Sequence, residues 1–170
     1  MGATSTLKRI LPDLDGPTNV VREAWDRLHP VPGGKRIFSR IIGMMAPYTG
    51  TIGCQVQELR PGFARVELRD RRAVRNHLRC VHAIALANLA EVAGNVALAY
   101  SMPDDARFIV AGLTMEYVKK ARGTIAATGE CPIPASNERR EFEVPVTMRD
   151  PRGEVVATCV LRTLVGPKKG

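Results

Sequence analysis

The sequence predicts an α+β fold: an antiparallel sheet of about six strands wrapped around one long central helix, residues 83–100, with two shorter helices before it. Two observations carry this. The run from about Ala83 to Tyr100 is apolar nearly all round, so most of its surface must be covered, and in a chain this size the cover is the sheet. On either side of it the hydrophobic period is two, giving two strand-like runs before the helix and four after it.

Taken in order, residues 1–16 are mixed, with Pro12 and Gly16, and read as a loosely held tail. In NVVREAWDRLHP, Val20, Val21, Ala24, Trp25 and Leu28 recur at helical spacing until His29-Pro30 ends the run. The segment KRIFSRIIGMMAPY repeats that pattern through Ile37, Phe38, Ile41, Ile42 and Met45, stopping at Pro47. From Thr51 the alternation TIGCQVQEL, the turn RPGF and the run ARVELRD predict a β-hairpin. After the helix come FIVAGLTMEYVKK, GTIAATGEC, REFEVPVTMRD and EVVATCVLRTLV, broken by KARG, CPIPASNE and DPRG. Pro145 cannot donate to a ladder, so it belongs at an edge or bulge, and the end GPKKG reads as a solvated basic tail.

At 170 residues and 45% hydrophobic, the chain supports a single core. The expected organisation is a tail and two amphipathic helices over 1–50, packed on a sheet-and-helix domain over 51–167. The net charge of +8 favours anionic partners, but the charges are spread and aromatics are only 5%, which argues against a nucleic-acid surface. Cys54, Cys80, Cys131 and Cys159 form no CxxC pair, so free thiols are expected; with no apolar leader at the start, a cytoplasmic location follows. His77, Cys80 and His82 have no fourth ligand at zinc-like spacing, so no metal is expected.

Within the long helix Glu91 is the one carboxylate, and an ionised carboxylate taken out of water without a partner is costly. Asn88, Glu91 and Asn95 are spaced three and four apart and share one narrow face, beside Ala87 and Gly94. Small residues there let another backbone or a ligand come close, so this strip is expected to meet a partner subunit or a pocket. A membrane span is the competing reading. The run is shorter than ~20 residues and carries these three polar groups, so no span is expected.

A six-stranded antiparallel sheet with a long helix after the second strand resembles the hotdog fold. The segment NHLRCVHAIALANLAE, residues 76–91, is similar to the active-site stretch of hotdog acyl-CoA thioesterases of the phenylacetyl-CoA and hydroxybenzoyl-CoA type. In those proteins an Asn precedes a His by six residues and an acidic residue follows that His by nine, intervals that Asn76, His82 and Glu91 reproduce. Where the family has His-Gly-Gly, this chain has His82-Ala83-Ile84.

The resemblance implies thioester hydrolysis in a homodimer, a dimer of dimers being left open, with Asn76 and His82 of one protomer facing Glu91 of the other. Glu91 would be nucleophile or general base, Asn76 would orient water or carbonyl, His82 would fix the loop or assist the leaving thiolate, and the Ala83 N–H would hold the oxyanion. The distance agrees: eight residues separate Ala83 from Glu91, about 12 Å at 1.5 Å per residue, so one carbonyl cannot reach both on one helix. Asn88, Asn95 and Thr114, the nearest hydroxyl on the following strand, are candidates for substrate contact. CoA enters as part of the substrate and no cofactor is expected; its phosphates call for cations, for which Lys119, Lys120 and Arg122 in the KKARG turn, and Arg71, Arg72 and Arg75 before the helix, are candidates. Two alternatives remain open: a hotdog dehydratase, in which His77 would work with Glu91, and a non-catalytic acyl-binding module. Trp25, Phe38, Met44 and Met45 of the helices over 20–29 and 35–46 could cap an acyl pocket, packing on the sheet being the default use of such faces.

Overall fold

The computed structural model describes residues 16–168. The tail expected over 1–16 falls almost wholly outside them. The helices are α1 (Val20–Leu28), α2 (Gly34–Met45), the four-residue α3 (Pro47–Gly50) and α4 (Ala83–Ser101). The strands are β1 (Gln55–Arg60), β2 (Phe63–Leu68), β3 (Ala106–Tyr117), β4 (Ile125–Glu130), β5 (Arg140–Arg149) and β6 (Val155–Pro167). They form one six-stranded antiparallel sheet in the order β1-β2-β4-β5-β6-β3. With α4 lying in its concave face, this is the hotdog fold.

Of the 19 residues of α4, 13 are buried, under the sheet on one side and α1 and α3 on the other. By length and composition α4 could cross a membrane; here it is a core helix. Gly94 departs from the sequence reading. It faces the sheet, where an added Cβ would lie 2.3 Å from Leu161 Cδ1, so its smallness serves helix-on-sheet packing and not a partner or ligand.

The two leading helices are tied to opposite parts of this body. Asn19 caps α1, its Oδ1 accepting from Arg22 N (3.0 Å), while its Nδ2 donates to Ala99 O (2.7 Å) and Met102 O (3.1 Å) at the end of α4. Trp25 and Phe38 are buried edge-to-face, centroids 5.1 Å apart, so both belong to the core and not to an acyl cap. The chain does not stop being helical at Pro47: proline suits a first helical position, and α3 begins on it.

Two strand features are worth the local chemistry. Pro145 pairs with Val160, one residue past Val146, the last β5 residue to meet β4; the strand has there become a local edge, the kind of position expected for it. The β5–β6 turn is held by Asp150, whose Oδ1 accepts from Arg152 N and Glu154 N (2.9 and 3.0 Å). Of the GPKKG end expected as a solvated tail, residues 166–168 are described, and these are held against the body. Gly166 and Pro167 continue β6, and Lys168 donates its Nζ to Gly16 O (2.6 Å) and Thr18 O (3.0 Å).

Candidate active site

The loop leading into α4 is built on Asn76. Its backbone N–H donates to Cys80 O (2.9 Å), and its Oδ1 accepts from Leu78 N (2.9 Å) and Cys80 Sγ (3.3 Å). Arg79 takes a left-handed φ of 55° to close the turn, and Arg75 and Val81 bridge its ends. Asn76 is thus a turn residue through its oxygen, while its Nδ2 has no partner among the described residues.

His82 is the N-cap of α4, and its Nδ1 accepts from Ile84 N at 3.1 Å. A ring nitrogen that accepts is unprotonated, so the neutral ring carries its hydrogen on Nε2, on an exposed side chain. The Ala83 N–H, at the positive end of the helix, has no acceptor among the described residues. Tyr117 Oη donates to Ala83 O (3.1 Å), fastening the end of β3 to the start of α4. No feature of the sequence pairs these two residues; Tyr117 reads only as the end of an alternating run.

One and a half to three turns further on lies the strip of Asn88, Glu91 and Asn95. Glu91 is half-buried, less enclosed than its apolar surroundings in sequence suggest, and has neither an ion pair nor a hydrogen bond among the described residues. Its charge is felt by Cys159 on β6: burial, with Glu91 adding to it, pushes that thiol up to about 11. Asn88 is buried and donates to Tyr48 O at 3.4 Å, but its Oδ1 has no donor; nor has the Oδ1 of half-buried Asn95. Orphan buried acceptors cost on the order of 1–3 kcal/mol each unless something covers them and donates.

The cationic KKARG turn lies beside the helix start, a proximity the sequence does not encode. Val81 N donates to Ala121 O (2.9 Å), and Asp70 joins both segments, accepting from Arg75 Nε (2.5 Å) and Gly123 N (2.9 Å). The Arg75 hydrogen bond holds the Asp70 carboxyl below the usual 3.8. Lys119 is already paired with Asp150 (2.8 Å) and Glu154, whereas Lys120 and Arg122 are exposed and have no ion pair among the described residues. Thr114 is not brought to the site. Side chains alternate along β3, Met115 packs on the core and Tyr117 reaches α4, so Thr114 sits on the opposite face. His77 is exposed in the loop tip.

On one protomer, then, two groups of residues stand apart: Asn76, His82 and Ala83 at the helix start, and Asn88, Glu91 and Asn95 along its flank.

Comparison with known proteins adds the following. A family model described as "Domain of unknown function (DUF4442)" matches residues 34–165. A structural-genomics protein of no stated function is 33% identical, with TM-score 0.74, over 86% of this chain and 98% of its own. A "Thioesterase family protein" from Silicibacter pomeroyi is 19% identical with TM-score 0.66, covering 76% of this chain and 96% of its own. A protein from Pseudomonas aeruginosa described as "Probable Thioesterase" is 20% identical with TM-score 0.69, covering 81% and 97%. No functionally curated protein matches the chain.

Proposed function

We propose that this chain, which belongs to the DUF4442 family, hydrolyses acyl-CoA or a related thioester, with Glu91 as nucleophile or general base in a site completed by a second copy. The observation that carries the reading is Glu91 itself: a half-buried carboxylate without a partner among the described residues, between two asparagines whose oxygens lack donors.

The chemistry follows from what each group can do. The Ala83 N–H, on the positive helix end, donates to the developing oxyanion, helped by Asn76 Nδ2, which has no partner among the described residues. His82, protonated on Nε2, can donate to the sulfur as the C–S bond breaks. Acting as base, Glu91 takes a proton from water as the oxygen adds to the carbonyl carbon; acting as nucleophile, it forms an anhydride that water then opens. Either route yields one carboxylic acid and one thiol.

Eight residues of helix, about 12 Å, separate Ala83 from Glu91, so the oxyanion donor and the carboxylate serving one thioester come from different protomers. The outer edge of β3 supports this. It is a 12-residue strand with no neighbour beyond it among the described residues, and Ile109 and Leu113 are exposed on it. Exposed Lys120 and Arg122, beside the helix start, are placed to meet CoA phosphates. Thr114, on the other face, has no part in this arrangement.

The test is free-thiol release from a panel of acyl-CoA esters. Wild type is expected to hydrolyse at least one, and Glu91→Gln to lower kcat by about 100-fold or more. Failure of wild type on the whole panel, or a fully active Gln variant, would contradict the reading; hydration of an enoyl ester lost with His77→Ala would assign the dehydratase instead.

A further inference from the structure

A cleft of about 890 Å³, whose lining includes Val92 but not Glu91, opens between α2, α3 and the approach to β1. Its composition is lopsided. Arg36, Arg40, Arg69 and Arg71 line it, no acidic residue does, and none of the four forms an ion pair among the described residues. Like charges converging on a concave surface repel unless a counter-charge sits among them, and guanidinium is the side chain best shaped to bind carboxylate or phosphate.

One of these arginines is held in place by the backbone. Arg71 Nη2 donates to Ile52 O (2.9 Å) and passes Gly53, where an added Cβ would lie 3.2 Å from it. Gly53 also has a φ of +60°, so two independent constraints keep that position bare. The lining also has an apolar part: Ile42 and Met44 from α2, Met44 one turn beyond Arg40 on the same helix face, and Val92 from α4. Met44 is 47% exposed, and a methionine side chain gains by being covered.

We infer that this cleft binds an anionic amphiphile, its carboxylate or phosphate head among the four arginines and its aliphatic chain along Ile42, Met44 and Val92. Volume and lining suit a ligand of that class, since small-molecule sites are commonly 300–1,000 Å³, largely apolar, with a few convergent polar groups. Glu91 is not among the lining residues, so the inference stands whether or not the chain hydrolyses thioesters.

Isothermal titration of the full chain with dodecyl phosphate, dodecanoate, inorganic phosphate and the neutral dodecyl maltoside, each kept below its micelle concentration, tests it. At least one of the two anionic amphiphiles is expected to bind about tenfold or more tighter than either inorganic phosphate or the maltoside, and the tighter head identifies phosphate or carboxylate. Arg36→Glu with Arg40→Glu should weaken that binding about tenfold or more, Arg36→Lys with Arg40→Lys should retain most of it, and Glu91→Gln should leave it unchanged. The Lys pair and a melting curve show that lost binding is not lost folding. Equal binding of the maltoside, equal binding of inorganic phosphate, or unchanged affinity in the charge-reversed pair would overturn the inference.

Discussion

The two edges of the sheet end differently. At β1 the outer backbone is closed by the chain's own helix: Val56 N donates to Ser39 Oγ (2.9 Å) and Lys35 Nζ donates to Gln57 O (2.7 Å), both from α2. At β3 no described residue covers the ladder, and Ile109 is 66% and Leu113 39% exposed. Long apolar edges invite pairing with another chain, and proteins normally blunt them with charge, proline or a covering helix. The chain blunts one edge and leaves exposed Ile109 and Leu113 on the other, the contrast on which the proposed pairing of two copies rests. The open edge is also the one fastened, through Tyr117, to the start of α4, where the Ala83 N–H lies.

Breaking the open edge has the largest expected effect. Ile109→Lys with Leu113→Lys places two charges where a second β3 would pair, and should raise the dimer dissociation constant by about 100-fold or more, with thioester hydrolysis falling in proportion to dimer lost; sedimentation and thiol release measured at the same concentrations check both. A monomeric wild type would break the comparison at its root.

Next comes the lock between the pre-helix loop and the KKARG turn. Asp70→Asn should cost about 2 kcal/mol in urea unfolding, because Arg75 and Gly123 lose a charged acceptor. The sign of its pH dependence is fixed: the native carboxyl titrates below the usual 3.8, so its contribution is full above that value and disappears as pH falls through the lowered native value, a loss the Asn variant should lack. Smallest is the covered edge. Ser39→Ala removes the acceptor for Val56 N and should cost about 1 kcal/mol while leaving the oligomeric state unchanged.

What the sequence disclosed and what it hid divide along the same physical line. The apolar run of α4 and the DPRG turn are local signals, while the strand expected from Thr51 begins only at Gln55, because Gly53 with its φ of +60° breaks the extended run. Asn76, His82 and Glu91 stand out as candidates in the sequence because a carboxylate in an apolar helix and a fixed pair of intervals are both visible in one dimension. Contacts between distant segments were not: nothing near Asp70 points to Gly123, and nothing in GPKKG points to Lys168 reaching Gly16. Gly94 was misread for the same reason. A small residue beside a polar strip looks like room for a partner until Leu161 is found facing it. Thr114 shows how alternation decides a role: Tyr117 reaches α4, and Thr114 lies on the other face of the same strand.

The central claim is that Glu91 and the Asn76 loop serve one thioester from two protomers, and subunit mixing tests it directly. Glu91→Gln and Asn76→Ala should each be dimeric and nearly inactive. Unfolded, mixed in equal amounts and refolded together, they should regain about a quarter of wild-type thiol release, since half the dimers are mixed and each of those holds one intact site. No recovery in a mixture shown to contain mixed dimers would place both groups on the same chain's site and contradict the claim.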